Sequence, residues 1–295
     1  MSMAGLPFDI PNGHAHKGGP STCPIFKLLP EPLQREAEAN SFLLDYIHML
    51  PVEQFGVPEF YPELTRNMGD IKNPNLIYPI GGGLYVHIFP NPSDARDHYI
   101  AIDPGMVEDS VNLMLELEDH LVDQMDLLDD DNSEGEDRKK VLYKILKETC
   151  TLVKPKDLRQ ARMKAAKKAN SKMPVTKAQY AALRYRLIRD KEGMGVLEPL
   201  IQDPYLEDIS CSGVGNIFLE HKIFQGLTSS IVFRSTEDLD TFVIQVLEKI
   251  GKPVTYRNPI IDASLPDGSR INLVFGTDVS RRGATLRSGS SLPTP

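Results

Sequence analysis

Residues 206–250 read LEDISCSGVGNIFLEHKIFQGLTSSIVFRSTEDLDTFVIQVLEKI, and this stretch sets the fold class. Three short apolar-rich runs, near 208–212, 216–224 and 227–233, are separated by polar and glycine-containing breaks. That is the pattern of strands joined by tight turns. After Glu237 the spacing changes. Leu239, Phe242, Val243, Val246, Leu247 and Ile250 fall on one stripe at helical period. Ser235 or Thr236 can cap the start of this helix and Gly251 its end. Two more extended segments, 254–266 (VTYRNPIIDASLP) and 270–276 (RINLVFG), flank the turn PDGS. Strands neighbouring in sequence, with a helix between them, predict a small α+β domain with a mainly antiparallel sheet and packed helices.

Working outward towards the N-terminus, residues 1–32 are rich in Pro, Gly and His and read as a flexible leader. Phe42, Leu43, Tyr46, Ile47 and Leu50 mark an amphipathic helix over 33–50. Residues 84–89 and 98–103 read as two strands around a polar connector with two prolines. Helices are expected over about 107–128 and 138–153, on either side of the loop DDDNSEGED. A basic, alanine-rich helix over 156–172 is interrupted by Pro174 and followed by a helix over 177–190. The expected organisation is therefore α+β: two small α/β-type domains joined by a helical connector. The boundaries are 1–32 leader, 33–153 first domain, 154–190 basic connector, 191–284 second domain, and a tail from 285.

Hydrophobic residues make up 41% and charged residues 25% of the 295, as in ordinary globular proteins. No apolar run approaches the ~18–20 residues of a membrane helix, and the N-terminus lacks an apolar signal region. Both point to the cytoplasm. The net charge of −8 is unevenly placed. Glu116–Asp137 holds eleven acidic residues and no Lys or Arg, whereas Lys154–Lys191 holds thirteen basic residues and two acidic ones. Such polarity suits either partner surfaces or solvated helix faces, rather than nucleic-acid binding by the whole chain. Cys23, Cys150 and Cys211 are too few and too scattered for a disulfide framework or a metal knuckle. His87 and His98 could face each other across the first hairpin, but a metal site needs three or four ligands.

A nucleotide-binding P-loop needs G-x-x-x-x-G-K-[ST], so that backbone amides cradle phosphate, Lys reaches it and the hydroxyl holds magnesium. The Gly-Lys pair in the chain, Gly251-Lys252, is followed by Pro253, and Gly81-Gly82-Gly83 precedes a strand and reads as a turn. No nucleophile elbow or H-E-x-x-H helix is present. The residues thus predict no catalytic group and no metal site.

Two strings carry a resemblance. The first is Tyr185-x-x-x-Arg189-Asp190-x-x-Gly193-x-Gly195, followed by Glu198-Pro199-Leu200, Asp203-Pro204 and Glu207-Asp208-Ile209. The second runs from Asn258 to Arg270 and reads NPIIDASLPDGSR. Together they resemble the domain that precedes the P-loop domain in the archaeal type II/IV secretion and archaellum motor ATPases. The resemblance covers residues 185–276. It implies the N-terminal part of a motor that works as a homo-hexamer with ATP and Mg2+ between this domain and a RecA-like ATPase domain. It also implies a membrane platform protein as partner, a position at the inner face of the membrane, and no nucleic acid. This chain by itself would hold no cofactor strongly. The resemblance puts a nucleotide-contacting role on Arg270, with Arg189 and Asp190 as further candidates and Asp267 and Gly268 as the turn that presents Arg270. An arginine suits bidentate phosphate contact; the bland alternative is a surface ion pair with Asp262 or Asp267. The other function class is a freestanding adaptor or ligand-sensing module.

After Gly283 the family reads close to T-F-T-I-R-K-F, whereas this chain reads Ala284-Thr285-Leu286-Arg287-Ser288-Gly289-Ser290-Ser291. Back-translated as ACT TTA CGA TCC GGA AGT TCN, residues 285–291 yield F-T-I-R-K-F when read from the last base of the Thr285 codon. The expectation is a one-base frameshift, with residues 285–295 an out-of-frame, disordered tail.

Overall fold

The computed structural model describes residues 5–10, 23–106, 110–122, 138–168, 171–252, 260–265, 268–274 and 285–289. In chain order its strands are β1 (Glu59–Phe60), β2 (Leu76–Gly81), β3 (Leu84–Phe89), β4 (His98–Ile102), β5 (Cys150–Leu152), β6 (Met173–Val175), β7 (Leu206–Cys211), β8 (Gly215–His221), β9 (Gln225–Phe233), β10 (Ile260–Ser264), β11 (Arg270–Val274) and β12 (Thr285–Gly289). Its helices are α1 (Glu31–Ala39), α2 (Ser41–Met49), α3 (Val52–Phe55), α4 (Ser110–Val122), α5 (Arg138–Thr149), α6 (Leu158–Ala165), α7 (Lys177–Lys191), α8 (Glu198–Gln202) and α9 (Thr236–Lys249). The protein is α+β, and its larger sheet is mainly antiparallel.

Two compact units form, but not at the expected boundaries. One is Asp103–Val196; the other combines Met3–Ile102 with Leu197–Pro295. The reason is a strand pairing that no local pattern encodes. β4 lies parallel to β9, with His98 opposite Thr228 and Tyr99 opposite Ser229. This joins the early strands to the later meander in one ten-stranded sheet, ordered β1-β2-β3-β4-β9-β8-β7-β12-β11-β10. Residues 103–196 are an insertion, in sequence, between β4 and α8.

Within the sheet unit, burial explains the patterning. Every residue of β3 is buried, so its continuous apolar run is covered on both faces, whereas β8 alternates buried and exposed. β2 turns into β3 through Gly81, Gly82 and Gly83, all at positive φ, as the triple-glycine turn requires. α9 buries Leu239, Phe242, Val243, Val246 and Leu247 and is capped by Ser235, whose Oγ accepts from the Asp238 N–H at 3.1 Å. Ser235→Ala is expected to cost about 1 kcal/mol of stability, read as a lowered urea midpoint with an unchanged slope.

Several expectations are corrected. The helix over 33–50 is two helices, broken at Asn40, whose extended φ of −124° cannot continue the first. The leader is not loose where it is described. Cys23, Ile25, Phe26 and Leu29 are buried, and the rings of Phe8 and Phe89 lie 5.0 Å apart. The segment after Ala284 is not a disordered tail over 285–289. These residues are β12, paired with β11 on one side and β7 on the other. Residues 290–295 lie outside the described residues.

The second unit holds α4, α5, α6, α7 and a small parallel pair, β5 with β6. Pro174 sits in β6 rather than merely breaking a helix. The core is Leu113, Met114, Leu117, Leu146, Cys150, Met173, Val175, Leu183 and Leu187. α7 starts at a capping box: Thr176 Oγ1 accepts from Gln179 N at 3.2 Å, and Gln179 Oε1 accepts from Thr176 N at 3.0 Å.

Candidate functional site

The predicted site residues fall in different units. Arg189 and Asp190 end α7 in the inserted unit, where Tyr185 and Arg186 precede them by one helical turn. The Nε and Nη2 edge of Arg189 holds the Asp190 carboxylate bidentately, at 2.7 and 3.2 Å. Its Nη1 lies 3.9 Å from Oδ2 of Asp103, which is itself buried. Asp103 Oδ1 accepts from Gly105 N at 2.6 Å, and Arg186 Nη2 donates to Gly105 O at 3.2 Å. A Cβ at Gly105 would lie 2.8 Å from Asp103 Oδ1, so a side chain there would force the carboxylate to shift.

The electrostatics follow from this crowding. Burial pushes the Asp103 carboxyl up, against the pull of Arg189 and Arg186. Burial holds the Arg186 guanidinium below its ordinary value. Burial also lowers Arg189, but the hydrogen bond and charge of Asp190 more than offset it. Arg189 is thus engaged with two carboxylates.

Arg270 is placed differently. It opens β11, opposite Ser264 of β10 and Gly289 of β12, and it is exposed. The turn before it is closed by Gly268 N donating to Leu265 O (2.9 Å) and Leu265 N donating to Ser269 O (2.7 Å). Gly268 sits at φ +88°, where a side chain would be strained. Asp267 lies outside the described residues. Among the described residues Arg270 makes no ion pair, with Asp262 included.

The glycine pairs behave as turns. Gly251 ends α9, so the Gly251-Lys252 pair follows a helix rather than opening one, and Lys252 Nζ donates to Asp262 O at 3.0 Å. His87 and His98 are not cross-strand partners: His87 sits opposite Ile100, and His98 opposite Phe89. His87 is buried between Tyr46 Oη (2.7 Å from Nδ1) and Asn75 Oδ1 (2.8 Å from Nε2).

Sequence reasoning missed a buried polar network in the sheet unit. Asp203 Oδ2 accepts from Tyr78 Oη at 2.7 Å and from Tyr99 Oη at 2.8 Å, and its Oδ1 accepts from Tyr205 N at 2.8 Å. His221 completes it. Its Nδ1 accepts from the Ile223 and Phe224 amides, both at 3.1 Å, so its proton is on Nε2, 3.3 Å from Tyr78 Oη. The one available signal was the Asp203-Pro204 pair of the first string. It marks a buried acceptor that ties β2 and β4 to the start of β7, not a ligand contact.

No family model matches the chain. Among curated proteins it is similar to three of Methanocaldococcus jannaschii. Uncharacterized protein MJ0900 is 30% identical over 263 residues, which is 88% of this chain and 48% of that protein. Uncharacterized protein MJ1288 is 31% identical over 257 residues, 87% of this chain and 88% of that protein. Uncharacterized protein MJ0781 is 33% identical over 94 residues, 32% of this chain and 13% of that protein. The chain thus spans about half the length of MJ0900 and nearly all of MJ1288. Among solved structures, the VirB11 ATPase of the Brucella suis type IV secretion system, in complex with sulphate, aligns over 33% of this chain and 28% of that one. Its TM-score is 0.28 at 18% identity, too slight a likeness to carry fold or function.

Proposed function

The chain belongs to the family of MJ1288, and on the resemblance carried by residues 185–276 we propose that it is the N-terminal, non-catalytic part of a secretion-type ATPase. It would supply one wall of a nucleotide site completed by a RecA-like domain, in a hexameric assembly docked on a membrane platform protein at the cytoplasmic face. What carries the reading is Arg270. It ends the second string, opens a strand, is exposed and has no ion-pair partner among the described residues. A fork-shaped cation held ready in this way suits a phosphate presented by a neighbouring domain. ATP and Mg2+ would be held chiefly by that domain, since the Gly-Lys pair here ends a helix. Among the described residues, no helix is long and apolar enough to cross a membrane.

A second reading has its own support. MJ1288 is matched over 88% of its length, which leaves that relative little room for a P-loop domain. A freestanding adaptor or ligand-sensing module without ATPase activity would fit. One titration separates the outcomes. The chain alone should show no magnesium-dependent ATP hydrolysis. Added to a RecA-like domain of the resembled ATPase family, it should raise turnover, and Arg270→Ala or Arg270→Lys should lower that turnover roughly tenfold or more. Hydrolysis by the chain alone, or full turnover in both variants, overturns the proposal. No effect on the ATPase leaves the adaptor reading.

A further inference from the structure

The inserted unit carries a strongly basic surface in a chain whose net charge is −8. Residues 152–172 hold eight cations, six of them Lys, against one acid, Asp157. Folding gathers much of this charge on the outer side of α6. Arg159, Gln160, Met163, Lys164 and Lys167 are exposed and spaced as one helix face, whereas Leu158, Ala161, Arg162 and Ala165 are half-buried. Lys167 and Lys168 continue the turn beyond α6, their N–H groups donating to Lys164 O (3.3 Å) and Ala165 O (3.0 Å). Lys154 and Lys156, just before α6, are exposed as well. On α5, Lys140, Lys144 and Lys147 form a second exposed row at i, i+4 and i+7. Lys172 Nζ donates to Lys147 O at 3.4 Å, which places the end of that row beside the same segment. Among the described residues, none of these lysines, nor Arg159, is in an ion pair.

Two large apolar side chains project from the same surface. Leu152 is 61% exposed, and Met163, one turn from Arg159 and from Lys167, is 58% exposed. A face that merely meets water needs the charges but has no use for these two. The composition also selects the partner. Protein–protein interfaces are depleted in Lys, yet six of the eight cations here are Lys. Surfaces that hold single-stranded nucleic acid interleave their cations with aromatic platforms for the bases. Residues 152–172 contain no aromatic side chain, and a phosphate backbone offers nothing apolar to Leu152 and Met163. An anionic bilayer offers both contacts: lipid phosphates for the ammonium groups, and the boundary of the acyl chains for exposed Leu and Met.

We propose that the outer face of α6, with the lysines around it, binds an anionic lipid surface directly, its cations on the lipid phosphates and Met163 and Leu152 in the headgroup layer. Lipid contact needs neither a nucleotide nor an ATPase domain, so its test and the Arg270 titration succeed or fail independently. Flotation of the whole chain with phosphatidylcholine vesicles containing about one-third phosphatidylglycerol should carry it into the vesicle fraction, and pure phosphatidylcholine vesicles should not. Salt at about 0.5 M, where screening shortens to a few ångströms, should release it. Lys164→Glu combined with Lys167→Glu, both at exposed positions, should weaken binding on the order of a hundredfold. Met163→Ser keeps every charge and should weaken it several-fold, a loss that a nucleic acid would not register. Both variants should unfold at the urea midpoint of the unaltered chain. No binding to the anionic vesicles, equal binding to neutral ones, or affinity unchanged in either variant overturns the proposal. So does a chain that binds a single-stranded oligonucleotide or polyglutamate but not the anionic vesicles, which would assign this surface to nucleic acid or to an acidic protein.

Discussion

Lowering the pH from about 6.5 towards 4 is expected to remove several kcal/mol of stability, because two buried histidines must stay neutral in the fold. Burial lowers His87 from 6.5 to about 3 and His221 likewise to about 3. A histidine whose folded pKa is depressed contributes stability that is present above its unfolded pKa. That stability is lost as pH falls from there to the folded value. Between these limits each histidine makes the unfolded chain bind one proton more, about 1.4 kcal/mol per pH unit. The two together give about 2.7 kcal/mol per pH unit, so two units remove an amount comparable to the stability of a typical domain. The hydrogen bonds explain why neither histidine simply charges in place. His221 Nδ1 is already an acceptor for two amides, and His87 lies between a tyrosine hydroxyl and an amide oxygen. The buried carboxyls of Asp103 and Asp203, both pushed up by burial, act with the opposite sign. Their contribution is lost as pH rises through their folded values and returns as pH falls, so the steepest loss lies in the upper part of the window. Urea unfolding at pH 7, 6 and 5 reads the slope directly. His87→Gln and His221→Gln should each remove about half of it. A stability flat over this range, or a slope indifferent to both variants, would sink the assignment.

Asp203→Ala should destabilise the sheet unit by roughly 3 kcal/mol. The carboxylate is the acceptor for Tyr78 and Tyr99, both fully buried, and for the amide of Tyr205. Its removal strands two hydroxyls at about 1–3 kcal/mol each, partly offset because a buried carboxyl no longer has to be desolvated. The cause is separable from mere loss of side-chain volume. In a Tyr78→Phe, Tyr99→Phe background the same Asp203→Ala change should cost clearly less, since no hydroxyl is left stranded. Equal costs in both backgrounds would show that the network is not what holds these strands together. β2 and β4 come from before the insertion and Asp203 from after it, so this cluster, with the β4–β9 pairing, unites the sheet unit across the inserted residues.

The elements themselves were legible because their signals are local. Alternation wrote β8, the helical stripe from Leu239 to Leu247 wrote α9, and Ser235 marked a helix start through a bond that spans three residues. The turn at Gly268 and the position of Arg270 at a strand start were legible for the same reason. What the chain order hides is any contact whose partners are distant in sequence. His98 gives no sign that it will lie beside Thr228. Residues 76–81, absent from the expected strands, carry a proline within their apolar run, yet β2 is fixed by pairing with β3. Thr285–Gly289, polar and glycine-ended, has little strand propensity of its own, and it is a strand because β11 and β7 offer two open edges on either side of it. The same limit applies to the sites. Sequence alone could name Arg270 as the first candidate for phosphate and Arg189 as a further one. Only the tertiary structure separates them, by saturating Arg189 with Asp190 and Asp103 and leaving Arg270 exposed, because a side chain's partners are set by what folding brings next to it.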